Sequence, residues 1–163
     1  EPWELNAGYW NMPDRTLEAW RNGWFHTGDA FTYDEDGNYY FVDRAKDYIR
    51  RRGENISSFE VESIVNEYPA IAECGAAAVP AEQGEDEVKI AVVLQPEAEF
   101  DPVELIEFLS SRMPRFAIPR YVEVWDALPK TEATARIQKA KIRQAGVSAD
   151  TWDRVEAGVE LPR

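Results

Sequence analysis

The chain has 163 residues, with 31 Asp and Glu against 18 Lys and Arg, giving a formal charge of −13 and a pI near 4.5. That averaged field repels a phosphate backbone, so general nucleic-acid binding is not expected. Hydrophobic residues make up 44% and include six Trp, enough for a packed core. No apolar run reaches the ~20 residues that cross a bilayer, so a soluble, cytoplasmic protein without a transmembrane segment is expected. A single Cys74 and a single His26 exclude an internal disulfide and a His/Cys metal cluster, and the site is expected to hold no metal ligands. No GxSxG motif supports a hydrolase triad built on His26.

The chain opens without Met, which predicts a piece of a longer protein. A short helical stretch follows Pro13 and runs to about Trp20. In AFTYDEDGNYYFVDR two aromatic runs flank Asp34-Glu35-Asp36-Gly37, a hairpin signal. The basic stretch DRAKDYIRRRGENISS, residues 43–58, comes next and stands out in so acidic a chain. Ser57 followed by Glu60 has the form of a capping box, and Val61, Ile64, Val65 and Tyr68 recur at helical spacing up to Pro69. Two strands are predicted at Cys74–Val79 and Val88–Leu94, separated by the acidic loop AEQGEDE. The small apolar neighbours of Cys74 predict a buried, inert thiol. Asp101 and Pro102 offer an N-cap and N1 proline for a helix whose inner side carries Leu105, Ile106, Phe108, Leu109 and Met113. A strand at Tyr121–Val124, a helix from Ile137 to Ala145 and a further short helical piece after Asp150 complete the chain. The fold class is therefore α+β: a small mixed sheet with helices, preceded by a β-hairpin.

Three spaced segments carry the chemistry: Gly23 to Asp29 (GWFHTGD), Asp43 to Ser57 (DRAKDYIRRRGENIS), and Leu128 to Lys139 (LPKTEATARIQK). Together they resemble the C-terminal motifs of the adenylate-forming superfamily, and GWFHTGD, DRxKDxIxxxGENIS and FEVE look most like acyl-CoA synthetases. The resemblance spans about Gly8 to Gly146. It implies a two-step reaction in which a carboxylic acid attacks ATP to give acyl-adenylate and pyrophosphate, and CoA then displaces AMP. It also implies a large N-terminal domain, missing here, that carries the acyl pocket, most of the nucleotide site and the Mg2+, and a small C-terminal lid that swings between two poses. On this reading residues 1–46 close the large AMP-binding domain with a hairpin remnant, 47–147 form the lid and 148–163 a C-terminal tail.

The resemblance assigns roles residue by residue. Asp29 would accept from the ribose hydroxyls of ATP/AMP, where the residues alone offer a turn cap after Gly28. Arg44 would reach the ribose and phosphate; the plainer alternative is a surface ion pair with Asp43 or Asp47. Lys46 matches the hinge. Gly53, lacking Cβ, would let the pantetheine arm of CoA pass close to backbone. Arg50, Arg51 and Arg52 would face the CoA phosphates, or form a solvated basic face. His26 is expected to be structural. Relatives usually carry a Gly-Lys pair after the LPKT-like turn, the lysine serving adenylation; here Ala135-Arg136 stands in its place, with Lys130 and Lys139 as the nearest other cations. Two rival readings are an amino-acid adenylation domain of a peptide synthetase, disfavoured by GENIS and by the absence of a carrier-protein serine motif, and a non-catalytic nucleotide-binding module of the same fold.

Overall fold

The computed structural model describes residues 7–81 and 84–161. The first six residues of the expected large-domain segment, two of the acidic loop and the last two of the tail lie outside the described residues.

The chain begins with α1 (Pro13–Ala19), opened by Pro13 at its first position, and a minimal hairpin of β1 (Trp20–Arg21) and β2 (Trp24–Phe25). The expected aromatic hairpin follows as β3 (Asp29–Tyr33) and β4 (Tyr39–Arg44). Its turn is organised by one carboxylate: Asp34 accepts hydrogen bonds from the backbone N–H of Asp36 and Asn38, the Asn38 amide and the Tyr40 hydroxyl. Those donors, the Asn38 amide and Tyr40 hydroxyl foremost, bring the Asp34 pKa down to about 2. A third ribbon pairs β5 (Ile49–Arg51) with β6 (Glu54–Ile56). Arg52 and Gly53 at its tip both have positive φ, 53° and 82°, the requirement of a type I′ turn.

The lid is built on a four-stranded sheet in the order β10–β9–β8–β7. β7 (Ile71–Pro80) and β8 (Asp86–Leu94) are antiparallel, β8 runs parallel to β9 (Tyr121–Val124), and β9 is antiparallel to β10 (Trp152–Asp153). The mixed sheet is as the sequence predicts. Alternation along β7 and β8 sends side chains to two cores. On one face Cys74, Ala76, Ala78, Val88, Ile90 and Val92 pack with residues of α2 (Ser58–Val65) and α3 (Pro102–Ser110). On the other, Ala77 and Ala91 pack with Leu128 and with Ile142 of α4 (Lys139–Ala145). Gly75 makes the second face possible: a Cβ there would stand 2.5 Å from Ile142 Cδ1.

Both predicted caps are present. The Ser57 hydroxyl accepts from the Glu60 N–H at 3.2 Å, and the Asp101 carboxylate from the Val103 N–H at 2.8 Å. Cys74 is buried and its thiol pKa raised well above normal by burial, which makes it inert. The expected helical piece after Asp150 is corrected. Residues 152–153 instead extend the sheet as β10, because Arg120 grips the Asp153 carboxylate with Nε and Nη2 at 2.8–3.1 Å. Upstream of β10, Ser148 and Thr151 donate to Glu123, which also pairs with the fully buried Lys89. The C-terminal segment thus packs on the sheet, with Trp152, Val159 and Leu161 against the main core.

Candidate nucleotide and acyl-transfer site

Asp29 opens β3 and Arg44 closes β4, and the antiparallel register sets them directly opposite each other. Arg44 Nε lies 3.3 Å from Asp29 Oδ1, an ion pair without the alignment of a hydrogen bond. The guanidinium therefore reaches across the ribbon rather than to its sequence neighbours Asp43 or Asp47. The Asp29 N–H is held by the Thr27 hydroxyl at 3.1 Å. A cleft of about 490 Å³ beside this pair is lined by Tyr9, His26, Thr27, Arg44 and Lys46, among others. The His26 ring rests against the Arg21 carbonyl at 3.3 Å, in keeping with a structural part.

Lys46 is exposed on a turn at 45–47. Its carbonyl accepts from Arg143 Nη2 at 3.3 Å, and the Asp47 N–H donates to the Arg44 carbonyl. On either side of this turn a buried polar network links hairpin and lid. Asp43, 1% exposed, accepts the Arg44 N–H on Oδ1 and the Ser57 hydroxyl, Ser58 hydroxyl and Phe59 N–H on Oδ2. Lys139 Nζ donates to Ser58 Oγ at 2.7 Å and pairs with Glu62 Oε1 at 2.9 Å, and Glu62 also accepts the Ala76 N–H. Burial pushes the Asp43 carboxyl up, but the Ser58 hydroxyl, the Arg44 and Phe59 N–H groups and the Lys139 charge outweigh it, leaving its pKa lowered. For Glu62 burial wins over Lys139 and the Ala76 N–H, and its pKa is raised. Lys139, which the sequence offers only as one of the cations nearest Arg136, is a buried member of this network. The signal was available, since Lys139 and Ile142 share one helical face.

Arg136 sits on an exposed loop. The Thr131 hydroxyl accepts its N–H at 3.1 Å, and its carbonyl accepts the Thr131 N–H at 2.8 Å. The preceding Ala135 adopts φ 51°, a left-handed conformation natural to glycine and costly for alanine. The backbone at position 135 thus has a shape that suits glycine better than the alanine present. Arg136 lines a cleft of about 350 Å³ with Phe41, Asp43, Phe59, Glu62 and Lys139. Lys130 is taken up by Glu73.

The three arginines divide. β5 alternates, so Ile49 and Arg51 point inward while Arg50 is exposed. Arg51, 5% exposed, pairs with Glu87 at 2.7 Å and donates to the Phe116 and Ile118 carbonyls. Arg50, Arg52 and Gly53 line a cleft of about 570 Å³ on the far side of the turn, with Asn55, Glu85 and Asp86. The structure therefore joins Asp29 to Arg44, sets Arg136 and Gly53 in separate clefts, and takes Arg51 inside. Among the described residues no three His, Cys, Asp or Glu side chains converge to hold a metal ion, and no helix is long and apolar enough to cross a membrane.

Comparison with known proteins agrees with this geometry. Residues 60–134 match the AMP-binding enzyme C-terminal domain family. The chain is 39% identical over 137 residues to a feruloyl-CoA synthase of an Amycolatopsis species, covering 84% of this chain and 28% of that protein. It is 40% identical over 139 residues to a long-chain-fatty-acid–CoA ligase of Bacillus subtilis, covering 85% and 25%. The chain thus spans about a quarter of the length of these relatives. Among solved structures it superimposes on the anthranilate CoA ligase AuaEII in complex with anthranoyl-AMP with TM-score 0.75 and 30% identity, over 85% of this chain and 27% of that one. The amide bond synthetase McbA from Marinactinospora thermotolerans gives TM-score 0.73 and 33% identity, over 85% and 28%. The three motif segments, the mixed sheet with its two helical layers and these likenesses agree: residues 60–134 are an AMP-binding enzyme C-terminal domain, and over most of its length the chain is similar to the C-terminal part of adenylate-forming enzymes.

Proposed function

We propose that this chain is the C-terminal part of an ATP-dependent, AMP-forming acyl-CoA ligase that joins a carboxylic acid to CoA. The observation that carries the reading is the cross-strand Asp29–Arg44 pair beside the exposed turn at Lys46. Two vicinal ribose hydroxyls can both donate to one fixed carboxylate, and a neighbouring guanidinium suits phosphate oxygens. Asp29 and Arg44 hold the nucleotide, and Lys46 is the hinge about which the segment from residue 47 turns, the C-terminal strand being carried on its sheet. In one pose Arg136 approaches the substrate carboxylate and the α-phosphate. In the other the Arg52-Gly53 turn approaches, with Arg50 and Arg52 toward the CoA phosphates and backbone at Gly53 open to the pantetheine arm. Arg51 supports that turn from within through Glu87. Mg2+ is left to the large domain that carries most of the nucleotide site, and the protein is proposed to work in the cytoplasm.

Arg136 keeps the positive charge of the usual lysine but presents a broad planar fork in place of a compact ammonium. Misplacing one transition-state donor costs about 10²- to 10³-fold in rate, so adenylation by the full-length protein is slow while the CoA step from preformed acyl-adenylate is not. The test separates the two steps in the full-length protein, by pyrophosphate exchange and by thioester formation from acyl-adenylate. Arg136→Lys accelerates the first and spares the second, and Asp29→Ala weakens ATP use by the ~1.5–3 kcal/mol of a hydrogen bond to a charged group. Exchange that is fast with Arg136, unchanged by Arg136→Lys and indifferent to Asp29→Ala excludes the assignment.

A further inference from the structure

Arg136 stands at the front of a stiff arm. Its loop is closed at the base: Lys130 and Ile137 form an antiparallel bridge, the Gln138 side-chain amide donates to the Lys130 carbonyl at 2.6 Å, and the Gln138 N–H donates to the Pro129 carbonyl at 2.7 Å. α4 begins at the next residue, so loop and helix form one piece. Two side chains one turn apart on α4, Lys139 and Arg143, fasten that piece. Lys139 ties it to α2, donating to Ser58 Oγ at 2.7 Å and pairing with Glu62 at 2.9 Å. Ser58 in turn donates to Asp43 Oδ2 at 2.7 Å. Arg143 ties the helix directly to the Lys46 turn, through its Nη2 and the Lys46 carbonyl. Asp43 accepts the N–H of Arg44, the partner of Asp29. A continuous run of contacts therefore joins the Asp29–Arg44 pair to the helix behind Arg136.

With α4 fastened in this way, Arg136 faces the ribbon: its cleft includes Phe41 and Asp43, both of β4. The cleft at Gly53 contains no ribbon residue and none of α4. A rigid piece held at two points along its length has little freedom to swing, and a reacting group gains from being held at one place and angle. We propose that Lys139 and Arg143 are positioning residues for adenylation, holding α4 against α2 and the Lys46 turn so that Arg136 stays aimed at the side where the nucleotide binds. This rests on the function proposed above. The thioester step, served by the Arg52-Gly53 turn, needs neither residue.

The test compares Lys139→Met and Arg143→Met with the parent in the full-length protein. Each lowers kcat for pyrophosphate exchange, by about tenfold or more and within the ~10²-fold that a misplacement of about 1 Å costs. KM for ATP holds, because Asp29 and Arg44 are untouched, and so does thioester formation from preformed acyl-adenylate. Lys139→Arg and Arg143→Lys, which keep a charged donor at each place, restore part of the exchange rate. Arg143 is only half-buried, so its variant reports even where Lys139→Met does not fold. Equal loss in both steps, a raised KM for ATP in place of a lowered kcat, or undiminished exchange with Arg143→Met overturns the proposal. Hydrogen exchange of the 163-residue chain reads the fastening without activity. Arg143→Met speeds exchange of the Asp47 N–H, which closes the turn on the Arg44 carbonyl at 2.9 Å, while the amides of Ile90 and Val92 in the buried strand β8 keep their rates. An Asp47 amide indifferent to Arg143→Met also overturns it. A full-length protein that makes neither acyl-adenylate nor acyl-CoA, with Asp47 still responding to Arg143→Met, removes the ligase reading and the adenylation role with it and leaves only the fastening of α4.

Discussion

Aromatic residues are treated in opposite ways on the two sides of Lys46. Before it, Trp10, Trp24, Tyr33 and Tyr39 are 95%, 75%, 75% and 74% exposed, and Phe31 and Phe41 nearly half so. After it, Phe59 and Phe116 are the exposed aromatics among the described residues. The β3–β4 ribbon stacks its rings along one face, with edge-on contacts from Tyr39 to Phe31 to Phe41 and on to Phe59 of α2. Its shape comes from the Asp34 turn and from that ladder, since a two-stranded ribbon has no interior of its own. The lid has helices on both faces of four strands and two closed cores. Autonomy of folding therefore belongs to the lid, and the ribbon presents an apolar face of the kind that a further domain covers. Four measurements probe that contrast, from the largest effect to the smallest.

Lys139→Ala strikes where the two regions are tied together. It strands Glu62 and leaves Ser58 without its donor, and breaking a buried pair costs about 3–5 kcal/mol. Urea melts of the isolated chain measure it.

Leu105→Ala, in a fully buried site of α3, is expected to cost about 2–5 kcal/mol, whereas Phe31→Ala costs below about 1 kcal/mol in the same chain because little buried area is lost. Equal losses in the two variants would make ribbon and lid a single cooperative unit.

The pH profile gives the third comparison. Asp34 in the ribbon and Asp43, Glu123 and Asp153 in or against the lid have lowered pKa values. Each contributes stability that is complete above its unfolded value and lost as pH falls through its folded one. For Asp34 that window runs from 3.8 down to about 2. Glu62 has the opposite sign: its raised pKa favours the folded state in acid, and that contribution is lost as pH rises from 4.5 through its folded value. Thermal melts therefore fall steeply below pH 4, while ribbon amides, followed by hydrogen exchange, open with the Asp34 titration and not with that of Glu62.

The smallest effect is a gain. Ala135→Gly relieves a left-handed alanine and is expected to stabilise the lid by up to about 1 kcal/mol, a strain of 1–2 kcal/mol offset in part by the greater freedom of glycine when unfolded. A loss of stability would mean that the loop does not hold Ala135 in that conformation.

Much of the lid was legible because its signals are local. The spacing of Val61, Ile64 and Val65, the Asp101-Pro102 start of α3 and the apolar runs that became β7 and β8 need no distant partner to be read. The DG-containing turn fixes Phe31 against Phe41, but the pairing of Asp29 with Arg44 needs the one-residue register shift between Ala30 and Phe31, which no local signal announces. What was not legible depends on residues far apart in the chain. Arg51 looked like one of three equivalent cations until alternation beside Ile49 turned it inward to Glu87, and Asp43 gave no sign that its donors lie across the next turn. β10 has two residues and no periodicity, and contacts with residues far upstream in the chain, the Arg120–Asp153 pair and the Glu123 carboxylate that Ser148 and Thr151 reach, fix its place.

Asp43 also gives the Lys46 turn a mechanical character. It stands on the ribbon side, while three of its four donors, the Ser57 and Ser58 hydroxyls and the Phe59 N–H, stand on the lid side. Any rotation about Lys46 that parts the two must surrender these three bonds nearly together, because all end on the same oxygen. Were Lys46 the hinge proposed above, such a joint would act as a detent rather than a loose pivot: it would rest in one setting, resist small displacements and release all three bonds at once.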